Sequence, residues 1–462
     1  MGVKGMNLYG IILAAGEGKR MKSKIAKPLH KACSRAIIEY VLDAAEGAGS
    51  KKNITVVGHC AEQVREYLGD RCEFAYQKER LGTGHAVMQA ADLIPDGEGT
   101  VMVLCGDAPL ITAEILKKAF EEHISENRAL TVITAKTENP HGYGRIIRNG
   151  SEIIDIVAEK DATDAEKAVC EIDSGMFFFK SDKLKSVLRR LSNDNAQGEY
   201  YLTDAIKLLS ADGEKVGAFP ANFENIIGVN DRVQLAAAEK ILNRRNVNRV
   251  MLDGVTVVDP DNTYIGSDVK IGADTVIYPG CFIEGRTEIG EDCVIGPDTT
   301  LRNSKIGDST TVERSVLTDS TVGSNTAVGP FAYMRPNSHV GSNVKIGDFV
   351  EVKNSSIDDG TKVAHLTYVG DADVGKRVNF GCGTVIVNYD GINKHRTTIG
   401  DDAFIGCNTN LVSPVRVNDG AYTAAGSTIT DEVPENALAI ARSRQVNKED
   451  WVIKNGKRKN IK

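Results

Sequence analysis

In the first 230 residues, short apolar runs alternate with amphipathic segments. Tyr9 to Ala15, Asn53 to Gly58 and Val101 to Cys105 have the length and composition of buried strands, while Ala36 to Ala48 and Ala113 to Ile124 carry helical spacing. The alternation predicts an α/β fold, Rossmann-like, with a mostly parallel sheet and helices on its faces. Ligands of such sheets lie beyond the carboxyl ends of the strands, where both Gly16-Glu17-Gly18 and Gly106-Asp107 fall.

The segment Asp231 to Met251, with apolar Val233, Ala237, Ile241 and Leu242 among charges, predicts a long linking helix. Beyond it the pattern changes to a period of six. Ile265, Ile271, Ile277, Ile283, Ile289, Ile295 and Leu301 are evenly spaced; the register slips and resumes through Val322, Val328, Met334, Val340, Ile346 and Val352. Further series run through Ile357, Val363 and Val369, and through Ile399, Ile405, Leu411 and Val417, with an interruption around Asn388 to Arg396. One aliphatic residue in six predicts a left-handed parallel β-helix of hexapeptide repeats, three to each triangular coil. At the ~4.8 Å spacing of neighbouring strands, about nine coils would stand about 40 Å tall. The expected domains are therefore 1–230, a helix over 231–251, and a β-helical domain with its tail over 252–462.

Composition narrows the partners. Of the 462 residues 26% are charged, and the formal net charge is −7, which leaves no cationic excess for a nucleic-acid backbone or an anionic membrane. Nine cysteines without CxxC spacing fit neither a disulfide framework nor a zinc site, and a cytoplasmic location is expected. The apolar run Leu8 to Ala15 lacks a cleavage site and reads as a first strand, not a signal peptide. No stretch approaches the ~20 apolar residues that span a bilayer.

Chemistry enters with the glycines. Leu13-Ala14-Ala15-Gly16-Glu17-Gly18-Lys19-Arg20 places exposed backbone N–H groups and cations just after a strand, where phosphate oxygens can be cradled. It is neither a P-loop nor a dinucleotide fingerprint, and alone it would read as an ordinary turn. Lys27, a second glycine loop over Leu81-Gly82-Thr83-Gly84-His85-Ala86, and Asp107 at the end of a strand strengthen the phosphate reading. Asp107 is a candidate Mg2+ ligand, since magnesium shares its shell between one or two protein oxygens, water and substrate phosphates.

Assembled, these pieces resemble the bacterial family of bifunctional N-acetylglucosamine-1-phosphate uridyltransferases and glucosamine-1-phosphate acetyltransferases. The resemblance is carried by LAAGEGKRM (13 to 21), AKPLH (26 to 30), LGTGHAV (81 to 87), CGDAPL (105 to 110), GYGRI (142 to 146), NAQGEYYLTD (195 to 204) and GVNDR (228 to 232). In the second half it is carried by GPFAYMRP (329 to 336), AHLTYVGDADVG (364 to 375), NYDGINK (388 to 394) and ALAIAR (437 to 442).

The resemblance implies that Leu13, Ala14, Ala15, Gly16, Arg20, Lys27, Gln77, Gly82, Thr83, Cys105 and Gly106 surround UTP. It gives Asp107 and Asn230 to the metal, and Gly144, Glu159 and Asp173 to the sugar. The implied reaction is in-line attack of a sugar phosphate on the α-phosphorus, with pyrophosphate leaving. This sequence departs from the family pattern at Glu17, Lys19, Cys105 and Asp173, the last replacing a usual Asn.

In the second half, His365 would be the general base that deprotonates an amine attacking acetyl-CoA. Arg335 and Lys353 would hold the sugar phosphate, with Tyr368 and Asn379 orienting the sugar. Acetyl-CoA would lie near Cys382, Asn388, Tyr389, Cys407, Ala425 and Arg442, where Cys382 and Cys407 stand in place of common Ala and Ser. His30, His59, His123 and His339 read as bystanders. The family implies a homotrimer with shared acetyl sites, and the basic tail Lys454 to Lys462 reads as a solvated end. Two other readings compete: a nucleotidyltransferase whose β-helix only oligomerises, and a non-enzymatic scaffold. The presence of His365 together with NYDGINK and Arg442 in the tail discriminates against the first, and the coincidence of the phosphate loop, Asp107 and Asn230 against the second.

Overall fold

The structure, a computed structural model, describes residues 6–95, 99–195 and 197–457. Ala196 of the 195–204 motif and the end of the basic tail, 458–462, lie outside them. Contacts divide the chain into two compact units, Met1–Asn243 and Arg244–Lys462.

The first unit is built on a sheet ordered Val216–Pro220, Leu130–Lys136, Glu171–Lys180, Thr100–Cys105, Leu8–Ala14, Lys52–Val57, Glu73–Tyr76. The predicted strands and helices are present, with Leu8–Ala14 central and parallel to both neighbours. Its residues are almost wholly buried, as a strand covered on both faces requires. The sheet is mixed: Glu171–Lys180, carrying the buried run Met176 to Phe179, is antiparallel to the strands on either side. A hairpin, Arg145–Asn149 and Glu152–Val157, hangs from it.

A single helix spans Arg232–Leu252. The division between units falls within it. Ala238 and Leu242 pack with Ala32, Ile37 and Leu110 of the first unit, whereas Val247 and Val250 belong to the apolar core of the second.

That second core is a left-handed parallel β-helix whose coils deposit strands into three parallel sheets of eleven, ten and nine. The six-residue aliphatic series points inward: Ile265, Ile283, Leu301, Leu317, Met334, Val352, Val369, Ile386, Leu411 and Ile429 climb one face. Two positions before many of them stands a buried Ser, Thr or Cys. Thr275 donates to Gly290 O at 2.9 Å and accepts from Cys293 N at 3.0 Å, so a hydroxyl settles the turn's backbone. Cys281 and Cys293 occupy this column as buried thiols. Asp or Asn in the left-handed region turns many corners, as at Asp274, Asp292 and Asn303. The slip in the period has a simple cause: Leu301 pairs with Leu317, a coil shortened by two residues, with Ile306 and Val312 between them continuing the inward series. The interruption at 388–396 is an excursion that makes Val374 pair with Ile399.

Candidate active sites

At the carboxyl ends of the first unit's central strands lie two adjoining cavities of about 310 and 300 Å³. Leu13, Ala14, Ala15, Gly16, Lys27, Gln77, Gly82, Thr83, Cys105 and Asp107 line the first. Gly144, Glu159 and Asp173 line the second, which shares Leu13, Thr83 and Cys105 with it. Three expected residues stand off both: Arg20 is exposed in the 3-10 turn Lys19–Met21, Gly106 is buried, donating its N–H to Leu13 O at 2.9 Å to tie the strand ends together, and Asn230 lies behind Lys27, accepting from its Nζ. The motif 195–204 supplies residues without a prior role: Gln197, Tyr201 and Thr203 line the second cavity and Glu199 the first. Arg80 also lines the first cavity and pairs with Glu17, which Lys19 approaches at 3.4 Å.

Local geometry explains the glycines. Gly18 has φ +64°, and a Cβ there would stand 2.7 Å from Lys27 Cβ, so the loop folds down onto the lysine only without a side chain. Gly82, φ +99°, opens the helix Thr83–Ala90, and a Cβ there would stand 2.7 Å from Tyr200 O. The second glycine loop is thus a helix start.

Lys27 Nζ donates to both Asp107 Oδ2 and, at 2.9 Å, Asn230 Oδ1. Val229 N–H donates to Asp107 O at 2.8 Å, which fixes the GVN turn to the strand end. Two oxygen donors therefore converge on one cation. That donor set fits a hard divalent ion completed by phosphates, although no cluster of three or more His, Cys, Asp or Glu suited to a metal occurs among the described residues. In the second cavity, Glu159 pairs with buried Arg145 at 2.7 Å and accepts from Gly142 N–H at 3.2 Å; the Arg145 hydrogen bond holds its carboxyl below the usual range. Asp173 accepts from Gly175 N–H at 2.7 Å, and burial pushes its carboxyl up to about 7. Burial likewise pushes the Cys105 thiol up, so it is an inert wall.

In the second unit, His365 Nδ1 lies 2.6 Å from Asp348 Oδ1, one coil earlier in register. The His365 hydrogen bond holds Asp348 below the usual carboxylate range. Lys362 pairs with Asn379 and Tyr368 with Val385, both at a spacing of 17, which puts Cys382 directly above His365. Cys407 and Ala425 continue the column, with Asn408 N–H donating to Cys382 O and Gly426 N–H to Cys407 O, each at 2.8 Å. Arg442 follows, its side chain passing Gly426.

On the adjoining sheet, Arg335 pairs with Glu351 at 3.0 Å, and Tyr368 stands in register with Glu351. Buried Asp371 is the hub, accepting from Asn354 Nδ2 at 2.5 Å, from Lys353 Nζ at 3.3 Å and from Asn388 Nδ2. Burial alone would raise its carboxyl, but those three donors outweigh it and hold the carboxyl low. Lys394, from the inserted loop, stands beside Lys353, whose charge holds the Lys394 amine below its ordinary value. Tyr389 is exposed, donating to Gly391 O at 2.6 Å. Asn379 lies on a different sheet from Arg335, Lys353 and Tyr368. Asp348 and Asp371 are the residues that sequence reasoning missed. Of the bystander histidines, His123 is buried with its Nδ1 2.9 Å from Thr131 Oγ1, and burial lowers its pKa to about 3.

Residues 9–228 match the model of the nucleotidyl transferase family, and residues 319–354 and 396–431 match that of the bacterial transferase hexapeptide repeat. Over nearly its whole length the chain is similar to curated proteins named bifunctional protein GlmU. It is 57% identical to that of Thermoanaerobacter pseudethanolicus over 454 residues, 97% of this chain and 99% of the relative. It is 52% identical to that of a Geobacillus species (98% and 99% covered) and 51% identical to that of Clostridioides difficile (97% and 98% covered).

Proposed function

The chain belongs to the bifunctional GlmU family, and from that premise we propose how its residues divide the work. It is a glucosamine-1-phosphate acetyltransferase and an N-acetylglucosamine-1-phosphate uridyltransferase of UDP-N-acetylglucosamine synthesis. In the first unit the cavity edged by Gly16, Lys27 and Gln77 takes UTP, and the one edged by Gly144, Glu159 and Asp173 takes the sugar phosphate. The observation that carries this is their shared wall of Leu13, Thr83 and Cys105, which sets two ligands end to end beside Lys27, Asp107 and Asn230. Asp107 and Asn230 would hold Mg2+, which when bound neutralises phosphate charge. Lys27 then turns to the phosphates. The sugar's phosphate oxygen attacks the α-phosphorus and pyrophosphate departs, a displacement that asks the protein for alignment and cationic charge and for no nucleophile of its own.

In the second unit Asp348 accepts the Nδ1 proton of His365, leaving Nε2 free to receive a proton from the substrate amine. The amine attacks the thioester carbonyl, and the C–S bond breaks. The imidazolium, stabilised by Asp348, returns the proton to the departing thiolate. Lys353 and Lys394, with Arg335, supply charge for the sugar phosphate. Acetyl-CoA lies along the column of Cys382, Cys407 and Ala425, with Tyr389 and Arg442 at its margins; Asn388 is set by Asp371. The separation of Asn379 from Arg335 and Tyr368 favours a homotrimer in which a second copy completes the site. Among the described residues no helix is long and apolar enough to cross a membrane, and with nine free thiols the cytoplasm is the proposed location.

The test is a two-product assay on the full chain. Pyrophosphate is expected from UTP with N-acetylglucosamine-1-phosphate, and free thiol from acetyl-CoA with glucosamine-1-phosphate. A chelator of divalent cations should stop only the first. Thiol release that never exceeds background would favour the reading in which the β-helix serves assembly alone.

A further inference from the structure

Among the described residues, two cations line the cavity proposed for UTP: Lys27 and Arg80. Lys27 is engaged by Asp107 and Asn230. Arg80 lines this cavity alone and takes no part in the sugar cavity. Its backbone belongs to a loop tied on both sides: Gln77 N–H donates to Val57 O at 2.8 Å, and Tyr200 N–H donates to Leu81 O at 2.7 Å. From there the side chain crosses to the first glycine loop, where Nη1 donates to Glu17 Oε2 and Lys19 Nζ approaches the same carboxylate at 3.4 Å. Glu17 itself does not line the cavity, so it holds Arg80 from outside. Only Nη1 is engaged by an acceptor among the described residues, which leaves the other N–H groups of the guanidinium for a ligand. Beside Glu17, Gly16 opens onto the cavity, and a Cβ there would meet no atom beyond its chain neighbours within 4 Å.

In-line displacement decides which part of the nucleotide comes to this end. The sugar phosphate attacks from the second cavity, so the bond that breaks lies on the far side of the α-phosphorus, and the leaving pyrophosphate points away from the wall the cavities share. That group carries most of the nucleotide's negative charge, which the forked donors of an arginine suit. We propose that Arg80 binds the β- and γ-phosphates of UTP, and that Glu17 is the positioning residue that aims it. As the sugar phosphate oxygen bonds to the α-phosphorus, the bond to the bridging oxygen breaks and pyrophosphate keeps the electron pair, its charge met by the guanidinium. The inference rests on the assignment of this cavity to UTP.

The reaction exchanges one phosphoanhydride for another and so runs backwards, with pyrophosphate and UDP-N-acetylglucosamine as separate substrates of the full chain. The experiment reads KM for each of them and for UTP, with thiol release in the same preparation as the control for the intact chain. Arg80→Gln should raise KM for UTP and for pyrophosphate by about tenfold or more, the size of one charge-assisted hydrogen bond, and leave KM for UDP-N-acetylglucosamine unmoved. Arg80→Lys, which keeps the charge, should recover part of the loss. Glu17→Gln should raise the pyrophosphate KM by about threefold in the parent and not at all in the Arg80→Gln background, where nothing is left to aim. A merely structural role would weaken all three substrates alike. An unchanged pyrophosphate KM in Arg80→Gln, or a rise confined to UDP-N-acetylglucosamine, would overturn the proposal; a fall in the pyrophosphate KM of Glu17→Gln would refute the positioning role. Gln77→Ala separates this from the underlying reading. If it leaves KM unmoved for both UTP and UDP-N-acetylglucosamine, the cavity is not the nucleotide site; if it raises them while Arg80→Gln keeps the pyrophosphate KM, only the role of Arg80 is refuted.

Discussion

Asp173→Asn is the substitution whose effect the first unit makes most calculable. Asp173 sits on the floor of the sugar cavity, and burial moves its carboxyl from the ordinary 3.8 to about 7. The folded chain therefore holds this proton where the unfolded chain gives it up. That stabilises the folded state fully below pH 4, and the advantage is lost as pH rises to about 7. The gap between the two values sets a ceiling of about 4 kcal/mol, at ~1.36 kcal/mol per pH unit. Access to cavity water lowers the effective cost to about 1–3 kcal/mol. Asparagine has the same shape, can keep the bond from Gly175 N–H, and does not titrate. The stability of Asp173→Asn relative to the parent should therefore climb by about 1–2 kcal/mol between pH 5 and pH 8 and level off above. His123, whose pKa is lowered to about 3, weakens the fold as pH falls below its ordinary value, but it does so in both proteins and cancels in the difference. Urea unfolding across that pH range, following the transition that UTP shifts, reads the first unit alone. A difference independent of pH, or a variant less stable than the parent at pH 8, would refute the burial argument.

Three further outcomes follow from particular contacts. Asp348→Asn should lower kcat for thiol release by about tenfold, because the imidazolium loses its charged partner, while pyrophosphate release is unchanged. Leu317→Ala, fully buried in the shortened coil, should cost the second unit about 2–5 kcal/mol by denaturant unfolding and leave the UTP-shifted transition in place. Gly82→Ala should raise the UTP KM and destabilise the first unit by about 1–3 kcal/mol, since it meets both a φ of +99° and the Tyr200 carbonyl.

Much of this architecture was legible in the sequence, for physical reasons. A strand buried on both faces must be an unbroken apolar run, which is why the segment around Leu8–Ala14 stands out. A β-helix needs one inward side chain per face, which is why the period of six survives so many coils. What stayed hidden depends on register. Asp348 and His365 are 17 apart, not 18, so their stacking emerges only once the lengths of the turns are known. Asp371 lies inside a motif already recognised, but its role as the acceptor for Lys353, Asn354 and Asn388 depends on the excursion at 388–396 folding back. The antiparallel run of Glu171–Lys180 has the same buried composition as a parallel strand, and no local signal gives its direction. Arg20 shows the converse: its place in a phosphate-like loop suggested a contact, yet the 3-10 turn carries it to the surface.

The proposed division of labour gives one chain two independent sites, one in each unit. Its most direct test is to prepare His365→Ala and Asp107→Ala in the full chain and measure pyrophosphate and free-thiol release on each preparation. A crossed pattern is expected: His365→Ala loses only thiol release, and Asp107→Ala loses only pyrophosphate release. Loss of both activities from either folded variant, or retention of thiol release by His365→Ala, would contradict it.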